Sequence, residues 1–441
     1  MEYGKLWCYN LNYFDFLNQY GMDADMGKKL IYEFIKKIHE NKIGLEPYPT
    51  SLRIINWIKF LTAKKIKDEF IDGFLYGQTK FLRNNLEYHL LGNHLLENGF
   101  ALLFGAYYFK DQHLYRKAKE ILITELHEQI LSDGAHFELS PMYHQIILHR
   151  ILDCINLIKN NAYFNNELLH FLIETAGKMM GWINTMTFTN GDIPLLNDSI
   201  FDVAPTTKQL LSYADRLNVW KVAPTVLCNE SGYRKIDKSN YEIVVDIGNI
   251  GPDYIPGHGH SDTFNFILYI DGKPFIIDTG VSAYEISTER QYQRSTSAHN
   301  TVQIGSYEQS EIWASFRVGR RARIIDKEEN ENFICATHDG YKRIGALHTR
   351  KFDFLDRLIR ITDNIKYKSK HTCYAYIHFH PDVSVMIEDN TVFFDSKKII
   401  ISDYDAIRKG KYDFAAGFNK LVKAAVIVII FRNNLHMEIA T

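Results

Sequence analysis

Up to about residue 230, apolar side chains recur at the spacing of a helix face. Leu86, Leu90, Leu91, Leu95, Leu102, Leu103 and Tyr107 follow it, as do Ile146, Ile147, Ile151, Ile155 and Ile158. Turn signals at Ser132-Asp133-Gly134 and Asn190-Gly191-Asp192 separate these helical stretches. After residue 240 the period becomes two. Apolar and polar residues partly alternate from Tyr241 to Ile247 and over residues 263–270, and Asp271-Gly272 predicts a hairpin turn into Phe275-Ile276-Ile277-Asp278. Further strand-like runs cover residues 301–304, 392–394, 398–402 and 424–431. Helices first and strands later predict an α+β chain with segregated layers, not alternating βαβ units. The pattern breaks near Asn229 to Lys238, which sets a helical domain over residues 1–230 and a β domain over 231–441.

Composition narrows the class. At 441 residues the chain exceeds one ordinary core, which agrees with two domains. It is 46% hydrophobic and 14% aromatic with a net charge of -2, as a soluble globular protein is. That balance excludes bulk electrostatic capture of nucleic acid but leaves room for a local basic cleft. The 27 tyrosines and 28 phenylalanines serve core packing and suit sugar-binding grooves equally. Cys8, Cys154, Cys228, Cys335 and Cys373 are scattered and odd in number, which argues against a disulfide framework or a thiolate zinc site. Met1-Glu2-Tyr3-Gly4-Lys5 shows no basic and apolar leader, and residues 424–431 are too few to span a bilayer. A cytoplasmic protein without membrane insertion is expected, or a periplasmic or secreted one if a leader precedes this sequence.

Four constellations can carry chemistry. In Gly257-His258-Gly259-His260-Ser261-Asp262, an extended backbone would send both imidazoles to one side. His260, Asp278 and His299 offer the two imidazoles and carboxylate of a zinc-type site, which leaves His258 to spare. In Gly92-Asn93-His94, a helix end at the glycine would let amide and imidazole face one ligand and stabilise charge on a carboxylate. In Glu138-Leu139-Ser140-Pro141-Met142-Tyr143-His144, the proline opens a helix and places Tyr143 in its first turn, where a phenol could exchange a proton. Finally, Tyr284, Arg290, Tyr292 and Arg294 precede Arg317, Arg320, Arg321 and Arg323, and arginine forks hold carboxylates and sulfates.

Together these segments resemble the heparinase II/III-like superfamily of polysaccharide lyases. The likeness runs from about residue 85 to 365. In the C-terminal half it rests on residues 257–262, Asp271-Gly272, Asp278-Thr279-Gly280, Tyr284, Arg290, Arg294 and Ala298-His299-Asn300-Thr301. In the N-terminal half it rests on Asn93-His94, residues 138–144 and Gly191-Asp192-Ile193-Pro194-Leu195-Leu196-Asn197-Asp198. The resemblance implies an incomplete (α/α) toroid followed by an antiparallel β-sandwich, and β-elimination on a uronic-acid-containing polysaccharide. It implies that Asn93 and His94 neutralise the uronate carboxylate, and that Tyr143 and His258 handle the proton steps. Tyr284, Arg294, Glu138 and His144 are then expected to bind substrate, and His260, Asp278 and His299 to hold a structural zinc. The expected partner is an acidic polysaccharide or oligosaccharide; polymer, epimer and oligomeric state stay open. The helical part is shorter than in many lyases of this type. Two other classes use the same residues: a non-catalytic carbohydrate-binding or exopolysaccharide-assembly protein, and a cupin-like metal oxygenase.

Overall fold

The computed structural model describes residues 4–40, 43–220, 230–368 and 371–441, apart from the side chains of residues 4–6. Met1-Glu2-Tyr3, Cys228 and Asn229, named above, lie outside the described residues. The chain forms two compact units, one of residues 1–130, 149–176 and 216–219, the other of residues 131–148, 177–215 and 220–441.

The first unit is helical. Helices Ala24–Lys37, Glu69–Asn84 and Gln112–Gln129 each start at an aspartate, Asp23, Asp68 or Asp111, whose carboxylate accepts from first-turn amides. Helix Gly92–Phe109 is buried on nearly every side and packs on Pro47–Ala63, Glu69–Asn84 and Gln112–Gln129. Its buried Glu97 is paired with Arg150 and its buried Asn98 with Glu87. Two of its glycines permit close approach: a methyl group on Gly105 would lie 2.7 Å from Thr79 Cγ2, and one on Gly99 would lie 2.9 Å from Ile121 Cγ2. Leu95, Leu96, Phe100, Leu103 and Trp57 are fully buried here, each contributing about 1.5–3 kcal/mol relative to exposure.

The second unit is dominated by antiparallel sheets. One four-stranded sheet orders Tyr233–Asp237, Tyr241–Asp246, Phe266–Ile270 and Lys273–Ile276. An eight-stranded sheet and a second four-stranded sheet complete a shared apolar core that includes Ile243, Phe266, Val302, Phe352, Ile361, Ile377, Ile429 and Ile439. Asp271 and Gly272 turn the expected hairpin with φ of 50° and 71°. The run over residues 263–270 becomes a strand only from Phe266, because Asn265 N donates to Asp262 O and Phe264 takes a φ of 70°. Among the described residues, no helix is long and apolar enough to cross a membrane.

Candidate active site

The site is built around a carboxylate. Asn197 takes a left-handed φ of 52°, and the side chain of Asp198 after it is fully buried. Asn197 Nδ2 donates to Leu139 O (3.0 Å) and its Oδ1 accepts from His260 N (2.9 Å), while Ser140 Oγ donates to Asp198 O (2.8 Å). These bonds tie the Asp198 loop to the segment before helix Pro141–Lys159 and to the His-Gly-His segment. His258 Nδ1 lies 2.8 Å from Asp198 Oδ2, and His260 Nε2 lies 2.8 Å from Oδ1. Arg290 closes the set with a fork of Nη1 on Oδ1 and Nη2 on Oδ2, the latter at 2.7 Å. Burial alone would push the Asp198 carboxyl up, but Arg290 and the two histidines hold it well below the usual range.

The histidines reach this carboxylate without an extended strand. Gly257 and His258 form a turn in which Gly259 N donates to Pro256 O, so the two imidazoles are not aligned by strand alternation as expected. A methyl on Gly259 would sit 2.5 Å from Ile250 Cγ2, which explains that glycine by packing. Burial lowers the His260 imidazole to about 4 against the opposing pull of Asp198. For His258, burial is outweighed by Glu138 and Asp198, and the net shift is upward.

Helix Pro141–Lys159 starts at the predicted proline, and Ser140 Oγ accepts from Tyr143 N at 3.3 Å. The Tyr143 ring lies 4.2 Å from the His258 ring between centroids, and its hydroxyl is 3.2 Å from that of Tyr284. Glu138 is buried, with Oε2 3.9 Å from His258 Nε2. Phe316 faces the His258 ring at 5.7 Å, and the Arg290 guanidinium sits 5.2 Å from the Tyr284 ring centroid. Glu138, Tyr143, His258 and Tyr284 thus come together. A phenol and an imidazole side by side can donate one proton and accept another.

Two expected substrate contacts are instead used inside the protein. Arg294 is fully buried; its Nη2 donates to Gly259 O at 2.9 Å and Nη1 to Ala314 O at 3.2 Å, so it clamps the His-Gly-His segment. His144 is buried against Trp182, with Nδ1 accepting from His136 N and Nε2 3.0 Å from Met179 O. Both side chains are buried away from a sugar at the surface.

The three expected metal ligands are all fully buried. His299 Nδ1 lies 2.7 Å from Asp278 Oδ2, and the His260 and His299 ring centroids are 5.3 Å apart. Among the described residues, His260 Nδ1 and His299 Nε2 have no hydrogen-bond partner. Among the described residues, no three His, Cys, Asp or Glu side chains are drawn around one point as in a formed metal site. The three residues offer the donor chemistry zinc takes, but His260 is turned to Asp198 and they do not converge on one point.

In the helical unit, Gly92 does start a helix, with Leu91 and Gly92 both at positive φ (56° and 53°). Asn93 is buried with its Oδ1 unpartnered among the described residues, and His94 is part-exposed beside the Tyr48 ring, its Nδ1 3.2 Å from Glu87 Oε1. Asp198 was absent from the residues expected to act. It lies 60 positions from His258, and only its place in the segment of residues 191–198 hinted at it.

A helical N-terminal region followed by antiparallel sheets is the architecture of the (α/α) toroid and β-sandwich lyase fold, and solved structures match it nearly end to end. Heparinase III matches at a TM-score of 0.75 with 17% identity, covering 95% of this chain and 74% of that one. A mutant heparan sulfate lyase from Pedobacter heparinus matches at 0.70 with 18% identity, covering 98% and 76%. Residues 49–220 match the domain described as Heparinase II/III N-terminus, and residues 221–438 the one described as Heparinase II/III-like, C-terminal. The chain belongs to the heparinase II/III-like family. A heparin-sulfate lyase of Bacteroides stercoris is 23% identical over 325 residues, 67% of this chain and 47% of that protein. The chain spans about half the length of the curated relatives it matches.

Proposed function

We propose that the protein is a polysaccharide lyase that cleaves a uronic-acid-containing polysaccharide of the glycosaminoglycan kind by β-elimination. The observation that carries the reading is the His258–Tyr143–Tyr284 cluster, in a chain whose family includes proteins named heparin-sulfate lyases. His258, held through Nδ1, takes the C5 proton at Nε2. The electron pair left at C5 forms the C4–C5 double bond, the C4–O4 bond breaks, and Tyr143 delivers a proton to O4. The C5 hydrogen of a free uronate is a very weak acid, so donors at the carboxylate are needed to stabilise the enolate-like transition state. Asn93 and His94 take that task. Glu138 and Tyr284 shape the proton-transfer side of the site. His260, Asp278 and His299 would hold zinc as a structural ion that offsets buried negative charge and pins their segments, with no proton step passing through it.

The assay is ultraviolet absorbance from the unsaturated uronate on heparan sulfate, hyaluronan, chondroitin, alginate and bacterial capsules. Turnover on one of them is expected, with Tyr143→Phe losing about 10²-fold or more in kcat. Binding without turnover on every polymer would make this a carbohydrate-binding protein instead. Full activity in Tyr143→Phe would remove Tyr143 as the acid. For zinc, elemental analysis of the purified chain should find the metal in stoichiometric amount and Asp278→Ala should lose it. Unchanged metal content in Asp278→Ala would remove that ligand.

A further inference from the structure

We propose that Asp198 sets opposite tautomers on the two histidines of the His-Gly-His segment, protonating His258 at Nδ1 and His260 at Nε2. An ionised carboxylate only accepts hydrogen bonds. Arg290 lays a two-pronged fork across both Asp198 oxygens, and a guanidinium so placed keeps the carboxylate charged. Any imidazole nitrogen at hydrogen-bond distance from that carboxylate must then carry a hydrogen. For His258 that nitrogen is Nδ1, and for His260 it is Nε2, each at 2.8 Å.

The remaining nitrogens agree. His260 Nδ1 is buried with no hydrogen-bond partner among the described residues. With Nε2 carrying the hydrogen, Nδ1 of the neutral ring is a bare lone pair and no N–H is stranded there. His258 Nε2 has its closest carboxylate oxygen, on Glu138, at 3.9 Å, beyond a hydrogen bond. It is left as a lone pair on the ring that packs against Tyr143. Two residues apart in sequence, the rings would otherwise be free to take either form. One carboxylate thus gives His258 a basic Nε2 and His260 a bare Nδ1, which makes Asp198 a positioning residue for both. The use made of His258 Nε2 rests on the lyase reading, whereas the tautomers do not.

The test needs no turnover. Long-range nitrogen–proton correlation spectra of the histidine-labelled full chain, assigned with His258→Ala and His260→Ala, report which nitrogen of each neutral ring is protonated. They are recorded at a pH alkaline enough for both rings to be uncharged. Nδ1–H on His258 and Nε2–H on His260 are expected; the reverse form on either ring, or a mixture, overturns the proposal. Asp198→Asn should release at least one ring to its other tautomer. Should that variant not fold because Arg290 is left unpaired, Asp198→Asn with Arg290→Met removes both charges together. Unchanged tautomers in a folded variant also overturn the proposal. Absence of lyase activity in the wild type would count against the lyase reading and leave this assignment standing.

Discussion

Asp198 is a charge in the protein interior that survives because four donor atoms meet it, two from Arg290 and one from each histidine. Taking a carboxylate and a guanidinium out of water costs several kcal/mol each, which their contact repays only while both are present. Removing one partner is therefore worse than removing both. Arg290→Met should destabilise the protein by about 3–5 kcal/mol, and adding Asp198→Asn should recover part of that loss. Urea unfolding of the two variants checks it, and strictly additive losses would show that the pair does not act as a unit. The same centre explains what could not be read in advance. His258, His260, Asp278 and His299 are conspicuous by type and spacing. Asp198 is one of many aspartates, joined to its histidines only when a loop about sixty residues upstream folds against them. Arg294 misleads for the opposite reason. Its chemistry suits a sulfate or carboxylate, yet burial turns both terminal nitrogens toward carbonyl oxygens of its own chain.

At the scale of elements, periodicity carried further than chemistry. The change from helical spacing to alternation reappears in the structure as helices to Thr207–Arg216 and strands from Tyr233–Asp237 onward. Strand Ala346–Leu355 alternates buried and part-exposed side chains along almost its whole length, and its stretch His348-Thr349-Arg350-Lys351 reads as polar until the partner strands are known. His348 and Arg350 are in fact fully buried, because Asp363 on strand Leu358–Tyr367 meets both. Helix glycines separate in a similar way. A methyl group added at Gly73 would meet nothing within 4 Å, so Gly73→Ala should stabilise by about 0.5–1 kcal/mol through helix propensity. Gly105 faces Thr79, whose hydroxyl is engaged with Leu75 O, and Gly105→Ala should cost about 1–3 kcal/mol through overpacking. Urea midpoints moving in opposite directions at unchanged slope would confirm the pair, whereas equal shifts would mean that helix contact is looser than the distances imply.

For the molecule as a whole, the sheets hold a second buried ionic network that bears on acid stability. Asp363 accepts from His348 Nε2 (2.7 Å), Arg350 Nε (2.7 Å) and Arg350 Nη2 (2.9 Å), and Arg350 Nη1 donates onward to Phe264 O and Asn300 O. Asn300 in turn donates to Phe266 O and Ile277 O, so the network braces the segments that carry His260, Asp278 and His299. Burial would raise the Asp363 carboxyl, but Arg350 and His348 lower it to about 2 in the folded protein. A carboxyl depressed on folding contributes stability that is fully present above its unfolded value near 3.9 and is lost as the pH falls toward the folded value. Asp363 should thus contribute about 2 kcal/mol at neutral pH and lose it between about pH 4 and 2. Asp363→Asn should flatten that part of the stability curve while lowering neutral stability by about 3–5 kcal/mol, since Arg350 is left buried and unpaired. Unfolding free energies measured by urea at neutral pH and at two points below pH 4 decide it. If wild type and variant lose stability in parallel on acidification, another carboxylate governs the acid limb, and Asp198, also held low by a buried arginine, is the next to substitute.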